Sequence, residues 1–306
     1  MPHSDVTDVC VVGSLNVDLV VRVARHPAVG ETVIGSTFET FLGGKGFNQA
    51  VAAARAGGRT AMLGAVGADG HGDDLLAALG ADGIDAAGVR RVAGGTGTAF
   101  PVVDDEGRNT VIVVPRANHA VEVADVERLA GVIGGARVVL VQLELPTAVV
   151  VAAATAARRG GALVVLNPAP VVGDAARFAG IVDVVVPNES ELALLTGTDG
   201  SDPVAAASLL AARTGADAVV VTLGGQGALV WTPAAVTTVE AHAVAVVDTV
   251  GAGDAFCGML ATRLAGGASL VDAVRHANAA GALATTRAGA GPSMPTIAEV
   301  EQLLRA

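Results

Sequence analysis

The chain has 306 residues, 52% of them hydrophobic, with 40 glycines and an aromatic content of only 2%. That length suits one large α/β unit with an appendage, and the small-residue composition fits buried parallel strands beside Ala-rich helices, which excludes a disordered or fibrous chain. A formal charge of −11 argues against nucleic acid or an anionic membrane as partner, because both call for a cationic face. Asp5 and Asp8 precede a short apolar run without the cationic start of a secretory signal, and no uncharged run reaches the roughly 18 residues of a membrane span. Cys10 and Cys257 fall in none of the paired spacings of zinc or redox motifs, so they read as buried free thiols suited to a reducing cytoplasm.

In chain order, Val9 to Val12 reads as a buried strand, followed by a Gly-Ser turn and an alternating strand from Val17 to Val23. Phe38 to Leu42, Thr98 to Val103 and Asn109 to Val114 are short and β-rich, the last two joined by a hairpin turn at Asp104-Asp105-Glu106-Gly107. These segments group as a small lid sheet, contributed by about 15–42 and 97–115. The remainder alternates: a strand from Thr60 to Val66, a helix from Gly70, Val138 to Val141, a helix from Thr147, Leu163 to Leu166, Val182 to Val186, a helix from Asn188, then Ala218 to Thr222. Such alternation implies right-handed βαβ crossovers and a mostly parallel sheet covered on both faces, a three-layer α/β/α sandwich. Gly227 to Trp231 and Val236 to Val239 follow, then helices from about Gly253, Ser269 and Thr296. Neither a repeat nor a linker divides residues 1–306, which read as one domain.

Ligands of open α/β sheets bind beyond the carboxyl ends of the strands, so the loops there are the place to look for chemistry. Asp248-Thr249-Val250-Gly251-Ala252-Gly253-Asp254 joins a β-rich segment to a helix of small residues, and its glycines let backbone amides converge as an anion cradle. Asp254 would repel a phosphate but can take a proton from an attacking hydroxyl, so it is the candidate general base; the competing reading is a helix cap. Gly43-Gly44-Lys45-Gly46-Phe47-Asn48 opens a helix from Gln49 and is neither a Walker loop nor a GxGxxG fingerprint. Its glycines would let a hydroxylated ligand approach the main chain, with Lys45 and Asn48 bonding to it; an ordinary Gly-rich helix start is the competitor. Asn16 and Asp18 project from one strand face and suit sugar hydroxyls, unless that face is merely solvated. Thr222-Leu223-Gly224-Gly225-Gln226-Gly227 offers backbone to a nucleotide or is a plain hairpin turn. Asn188 and Glu191 lie three apart on one helical face and reach a hydrated Mg²⁺ or form a capping box.

The glycine loop 43–50 and the loop 248–254, in this order and separation, resemble the two signatures of the ribokinase-like family of carbohydrate kinases, and the resemblance runs from about Val9 to the last helix. Gly13-Ser14-Leu15-Asn16-Val17-Asp18, Gln142-Leu143-Glu144, Pro187-Asn188-Glu189-Ser190-Glu191 and Arg287-Ala288-Gly289-Ala290-Gly291-Pro292-Ser293 carry it further. It implies ATP-dependent phosphorylation of D-ribose at its 5-hydroxyl. Asn16, Asp18, Gly44, Lys45, Asn48 and Glu144 would then hold the sugar, with Asp254 as base and the amides of Gly251, Ala252 and Gly253 as anion hole. Asn188, Thr222, Gly224, Gly227, Gly253 and Asn278 would meet ATP, and Glu191 would meet Mg²⁺ through water. A monovalent cation, K⁺, would use Asp248, Val250, Ala284, Arg287, Gly289 and Ser293, several through backbone carbonyls.

The sequence departs from that pattern around the sugar. Phe47 stands where the family usually carries Ala, Ala99-Phe100-Pro101 replaces an aliphatic run, and Arg116 stands where Gly is expected. Phe47 is therefore expected to narrow the sugar pocket. The alternatives are a kinase for another, fructose-like sugar and a nucleoside kinase in which Phe47 or Phe100 stacks on a base. A non-enzymatic sugar-binding protein would be expected to lose the base or the anion hole, and this chain has both. The exposed lid strands suggest a homodimer formed by pairing of two lids.

Overall fold

The computed structural model describes residues 7–305; Asp5 and the rest of 1–6 lie outside them, as does Ala306. In chain order the elements are β1 (Val9–Val12), β2 (Asn16–Arg22), β3 (Thr37–Gly43), α1 (Lys45–Arg55), β4 (Thr60–Gly67), α2 (Gly70–Ala81), β5 (Asp85–Val92), β6 (Gly97–Val103), β7 (Asn109–Val114), α3 (Val123–Arg128), α4 (Ala130–Gly135) and β8 (Val138–Val141). Then follow α5 (Thr147–Gly160), β9 (Leu163–Leu166), β10 (Val184–Val185), α6 (Glu189–Thr196), α7 (Pro203–Thr214), β11 (Ala218–Thr222), β12 (Ala228–Trp231), β13 (Val236–Val239), α8 (Ala252–Ala265), α9 (Leu270–Ala284) and α10 (Ile297–Arg305).

Nine strands form a central sheet in the order β13-β12-β11-β10-β9-β8-β1-β4-β5, in which β12 alone runs antiparallel to its neighbours β11 and β13. Successive side chains of its strands point to opposite faces, and each face has its own core. Val9, Val11, Val138 and Leu140 pack with α1, α8 and α9, while Cys10, Val12, Val139 and Val141 pack with α5 and α7. All eight are essentially inaccessible, and full burial of each Val or Leu is worth roughly 1.5–3 kcal/mol. This is the expected α/β/α sandwich. From β1 the chain runs outward to β4 and β5, then returns to β8 on the other side of β1. The sheet therefore has its switch point between β1 and β8, where the loops at their carboxyl ends diverge.

The second sheet has the order β3-β2-β6-β7. Only Gly13, Ser14 and Leu15 separate β1 from β2, and only Gly44 separates β3 from α1. The small sheet is thus attached at the switch point by two short connections. They lie against each other: a Cβ on Gly44, whose φ is 89°, would stand 2.8 Å from the Asn16 amide nitrogen, and one on Gly46 would stand 2.5 Å from the Gly13 carbonyl carbon. These glycines serve chain-to-chain approach, a purpose their sequence does not suggest.

Four elements escape the sequence pattern. β5 reads Asp-Ala-Ala-Gly-Val-Arg-Arg-Val and is half exposed at the sheet edge, so its alternation is weak. α7 follows Asp202, whose side chain caps the amides of Val204 and Ala205, with Pro203 at its first position. The short helices α3 and α4 lie between β7 and β8. Helix α1 starts at Lys45 rather than Gln49, and α8 at Ala252 rather than Gly253. Of the strand expected from Val182 to Val186, only Val184 and Val185 are ladder-paired.

Candidate active site

The switch point and the small sheet enclose a cavity of about 510 Å³. Asn16, Asp18, Gly44, Lys45, Asn48, Glu144 and Asp254, expected together from sequence, all line it. A second cavity of about 520 Å³ lies over the carboxyl end of β11 and the first turn of α8, lined by Asn188, Thr222, Gly224, Gly227, Gly253 and Asn278. A third, of about 220 Å³, lies between them; Lys45, Gly251 and Asp254 line it with the first cavity, and Asn188, Thr222 and Gly253 with the second.

Asp254 sits in the first turn of α8 and is only 8% exposed. It is not a helix cap, since Gly251 holds that position in the left-handed conformation and the Asp254 carboxylate bonds elsewhere. Its Oδ2 accepts from Asn48 Nδ2 and its Oδ1 from Gln49 Nε2, both at 2.9 Å. Burial raises its pKa, against Lys45, the two amide hydrogen bonds and, in the raising direction, Glu144. Lys45 is the compensating cation. Burial opposes its charge, yet the carboxylates of Asp254, Glu144 and Glu191 outweigh burial and hold it above its ordinary value.

At the N-terminus of α8 the Ala252 amide donates to the Thr249 carbonyl at 3.3 Å, while the amides of Gly251, Gly253 and Asp254 have no acceptor among the described residues. Three free donors and the helix dipole converge beside Asp254, which makes an anion cradle. The cradle differs from the expected set in using the Asp254 amide in place of that of Ala252.

Across the cavity, Asn16 Oδ1 accepts from Asn118 Nδ2 at 2.7 Å, and Asn118 is itself tied to both backbone groups of Leu15. Glu144 accepts from the Ser14 hydroxyl and, at 3.0 Å, from the Lys45 amide, so it bridges the two connections. Asp18 stays without a hydrogen-bond donor from the protein among the described residues, and its pKa is pushed up to about 6 by burial, then by Glu144 and Asp254. A carboxylate left open toward a cavity is set to accept from hydroxyls of a ligand.

On the other side, Gly224 (φ 54°) and Gly227 (φ 95°) shape the β11 to β12 turn, and a Cβ on Gly227 would fall 2.0 Å from the Val239 carbonyl. This turn is a hairpin connection that also lines the cavity. Asn278, which lines this cavity, donates to the carbonyls of Val239 and Glu240 at 3.1 Å. Asn188 and Glu191 form a reciprocal capping box, each accepting the other's backbone amide at 2.8 Å. Glu191 Oε1 takes no part in that exchange, and Glu191 lines the middle cavity. No cluster of three His, Cys, Asp or Glu among the described residues forms a metal cage.

Asp248 accepts the amides of Val250 and Gly289 at 3.0 Å each, tying the loop before α8 to the loop after α9. Each oxygen of this carboxylate keeps lone pairs to spare, a donor set that fits a hard cation. The carbonyl of Ala284 accepts from the Arg287 amide, and that of Ala290 from Ser293, each keeping a second lone pair. The Arg287 side chain turns away to pair with Glu299.

Sequence reasoning misplaces the aromatic residues. Phe47 is 3% exposed and belongs to the core under α1, its ring against Gly291, where a Cβ would stand 2.9 Å from it. It does not line the sugar cavity. Phe100 points to the face of the small sheet opposite Ala99 and Pro101, which do line it. Neither is placed to stack on a base in that cavity. The Arg116 guanidinium lies against Gly95 and reaches Thr98 Oγ1 at 3.4 Å, away from the cavity. The aromatic wall is Phe41, which is paired across the strands with Asp18 and packs on Gly289. Gln49, Ser14, Asn118 and Asn167 have no role in the sequence reading, although Ser14 and Gln49 lie inside the quoted motifs; the signal of Asn118 and Asn167 is a polar residue at an otherwise apolar position.

Residues 6–297 match the profile of the pfkB family carbohydrate kinases. The chain is 35% identical over 298 residues to a ribokinase of Haemophilus influenzae, covering 96% of this chain and 97% of the relative. It is 33% identical over 301 residues to a deoxyribokinase of Salmonella typhi, covering 97% and 98%. The structure of Arabidopsis thaliana ribokinase complexed with ribose and ATP superposes with a TM-score of 0.91 at 32% identity over 98% of this chain and 99% of that one. With a carboxylate, a cation and an anion cradle at the junction of two cavities, this chain belongs to the pfkB family of carbohydrate kinases.

Proposed function

We propose that the enzyme transfers the γ-phosphoryl group of ATP to the primary hydroxyl of D-ribose, giving ribose 5-phosphate. The observation that carries this is Asp254, buried beside Lys45 and three unpaired amides where the two ligand cavities meet. The relative that is a ribokinase and the plant enzyme solved with ribose and ATP support the choice of both substrates. Asn16, Asp18, Gly44, Lys45, Asn48 and Glu144 hold the sugar, and Asn188, Thr222, Gly224, Gly227, Gly253 and Asn278 meet the nucleotide. Asp254 accepts the hydroxyl proton as the oxygen attacks phosphorus, and the amides of Gly251, Gly253 and Asp254, together with Lys45, receive the negative charge of the phosphoryl group.

Mg²⁺ bound with ATP, and reached by Glu191 through water, would supply further neutralisation of phosphate charge. K⁺ at Asp248, with Val250, Ala284, Arg287, Gly289 and Ser293, several of them through backbone carbonyls, would stiffen the loop that leads into the cradle. The chain works as one unit in which the small sheet is a lid that closes over the sugar and excludes water. Strand β7 is an edge strand exposed along its whole length, with Val111, Ile112, Val113 and Val114 uncovered, which supports pairing of two lids in a homodimer. A cytoplasmic site of action fits the two buried free cysteines.

The test is a coupled assay of ADP release with D-ribose, 2-deoxy-D-ribose, D-fructose and adenosine as acceptors. D-Ribose should give the highest kcat/KM; a clear preference for adenosine or fructose would overturn the assignment. Asp254→Asn should keep ATP binding and lose about 10² to 10⁴ in kcat, and near-normal turnover would remove Asp254 as base.

A further inference from the structure

Gln49 and Gln142 are both completely buried, in a part of the molecule where apolar side chains would pack as well. Gln49 Nε2 donates to Asp254 Oδ1 at 2.9 Å and to Asn167 Oδ1 at 3.1 Å, while its Oε1 accepts from Gln142 Nε2 at 2.6 Å. Both donor hydrogens are therefore used, and the amide cannot rotate without breaking three bonds. Its anchors sit at strand ends. Gln142 directly follows β8, and Asn167, whose Nδ2 donates to the Val186 carbonyl at 3.0 Å, directly follows β9. Room for Gln142 exists because residue 13 is glycine; a Cβ there would fall 2.0 Å from Gln142 Oε1. Asn48, the other donor to Asp254, has a side-chain oxygen that is buried without a partner, as is Oε1 of Gln142, whereas all three polar positions of the Gln49 amide are bonded.

We propose that Gln49, locked by Gln142 and Asn167, is the positioning residue of the base: it fixes the plane of the Asp254 carboxylate and keeps it ionised, so that an Oδ2 lone pair faces the sugar hydroxyl. This rests on the reading of Asp254 as base. The central sheet thereby acts on the chemistry directly, through side-chain amides from the ends of two neighbouring strands. The charged and titratable groups that face Asp254 are Lys45 from α1, Asp18 from β2, Glu144 from the loop after β8, Glu191 from α6 and Cys257 from its own helix. None of them changes in the variants below, so a difference between enzymes reports the amide alone.

The experiment compares pH profiles of kcat, with ATP and D-ribose, for the parent, Gln49→Met, Gln142→Met and Asp254→Asn. Gln49→Met keeps length and bulk but loses the donor. Its acid limb should move upward by about one pH unit or more, because a hydrogen bond to a charged group contributes on that scale. Below the parent's limb kcat should fall about tenfold, while the KM for ribose stays within about twofold. Gln142→Met does not touch Asp254 and should move the limb the same way by a smaller amount. A purely structural role predicts a lower Tm with the limb unmoved in both variants, and that result overturns the proposal. If Gln49→Met does not fold, the limb of Gln142→Met decides the matter by the same criterion. An active Asp254→Asn would sink the base assignment and this inference together, whereas an inactive one beside unmoved limbs would sink this inference alone.

Discussion

Asp18 offers a test in which stability and function pull in opposite directions. Its carboxyl is held up to about 6 from 3.8 by burial, then by Glu144 and Asp254, with Lys45 only partly offsetting them, and no protein donor bonds to it among the described residues. A rise of about two units, at about 1.4 kcal/mol each, corresponds to about 3 kcal/mol. The folded form keeps its proton to higher pH than the unfolded chain, so stability is highest below about pH 4 and falls as pH rises through about 6. Above that pH the whole penalty is present. Asp18→Asn removes it while keeping shape, so the ligand-free variant should be more stable by about 3 kcal/mol at pH 8, or about 6 °C in Tm for a chain of this size. At pH 5 the advantage should shrink to about half. Differential scanning calorimetry of both proteins at the two pH values measures this. A variant no more stable than the parent at pH 8, or one whose advantage does not narrow at pH 5, would refute the reasoning. The same substitution should raise the KM for ribose, since the carboxylate left open for hydroxyls is gone.

Phe47→Ala should lower stability by about 3–5 kcal/mol, as core Phe truncations do, and leave the ranking of sugars unchanged, which urea unfolding and the acceptor panel check together. Phe41→Ala should do the reverse: little loss of stability and a rise of the fructose-to-ribose ratio of kcat/KM, because the ring is part of the cavity wall beside Asp18. An unchanged ratio would remove Phe41 as a wall. Replacing K⁺ by tetramethylammonium at constant ionic strength should lower kcat more than it raises the KM for ribose, since the Asp248 loop leads into the anion cradle; equal kcat in both salts would end the cation-site assignment.

The sequence displays the elements whose burial is uniform. Val9 to Val12, Val138 to Val141 and Leu163 to Leu166 are unbroken apolar runs because both faces of a central parallel strand are covered, and they appear where expected. Asp85 to Val92 is hidden because an edge strand half open to solvent has no such run. The glycine loops and Asp254 are legible because their chemistry is local: a helix start, adjacent amides and a carboxylate lie within a few residues. Phe47 and Phe100 mislead for the opposite reason. Which face of a helix or strand a side chain takes depends on register, and register depends on partners far away in the chain, here Gly291 for Phe47 and, for the strand that carries Phe100, β2 through the pairing of Asp18 with Ala99.

The same distance argument explains why several glycines have a purpose beyond the one their loops suggest. Gly44 and Gly46 lie in a loop that looks built for ligand approach, yet the atoms that crowd them belong to Asn16, Ser14 and Gly13. Gly43 leaves space for the Asp18 carboxylate, which a Cβ would approach to 2.5 Å. In each case the glycine of one connection admits a polar group of the other, so that the two short chains leaving the switch point can cross in contact. That crossing sets Asn16 and Asp18 opposite Lys45 and Asn48 without any of them being neighbours in sequence. By contrast, a Cβ on Gly224 or Gly253 would meet nothing within 4 Å, and both face the second cavity. The first group of glycines therefore builds the sugar side of the site, and the second keeps the nucleotide side open.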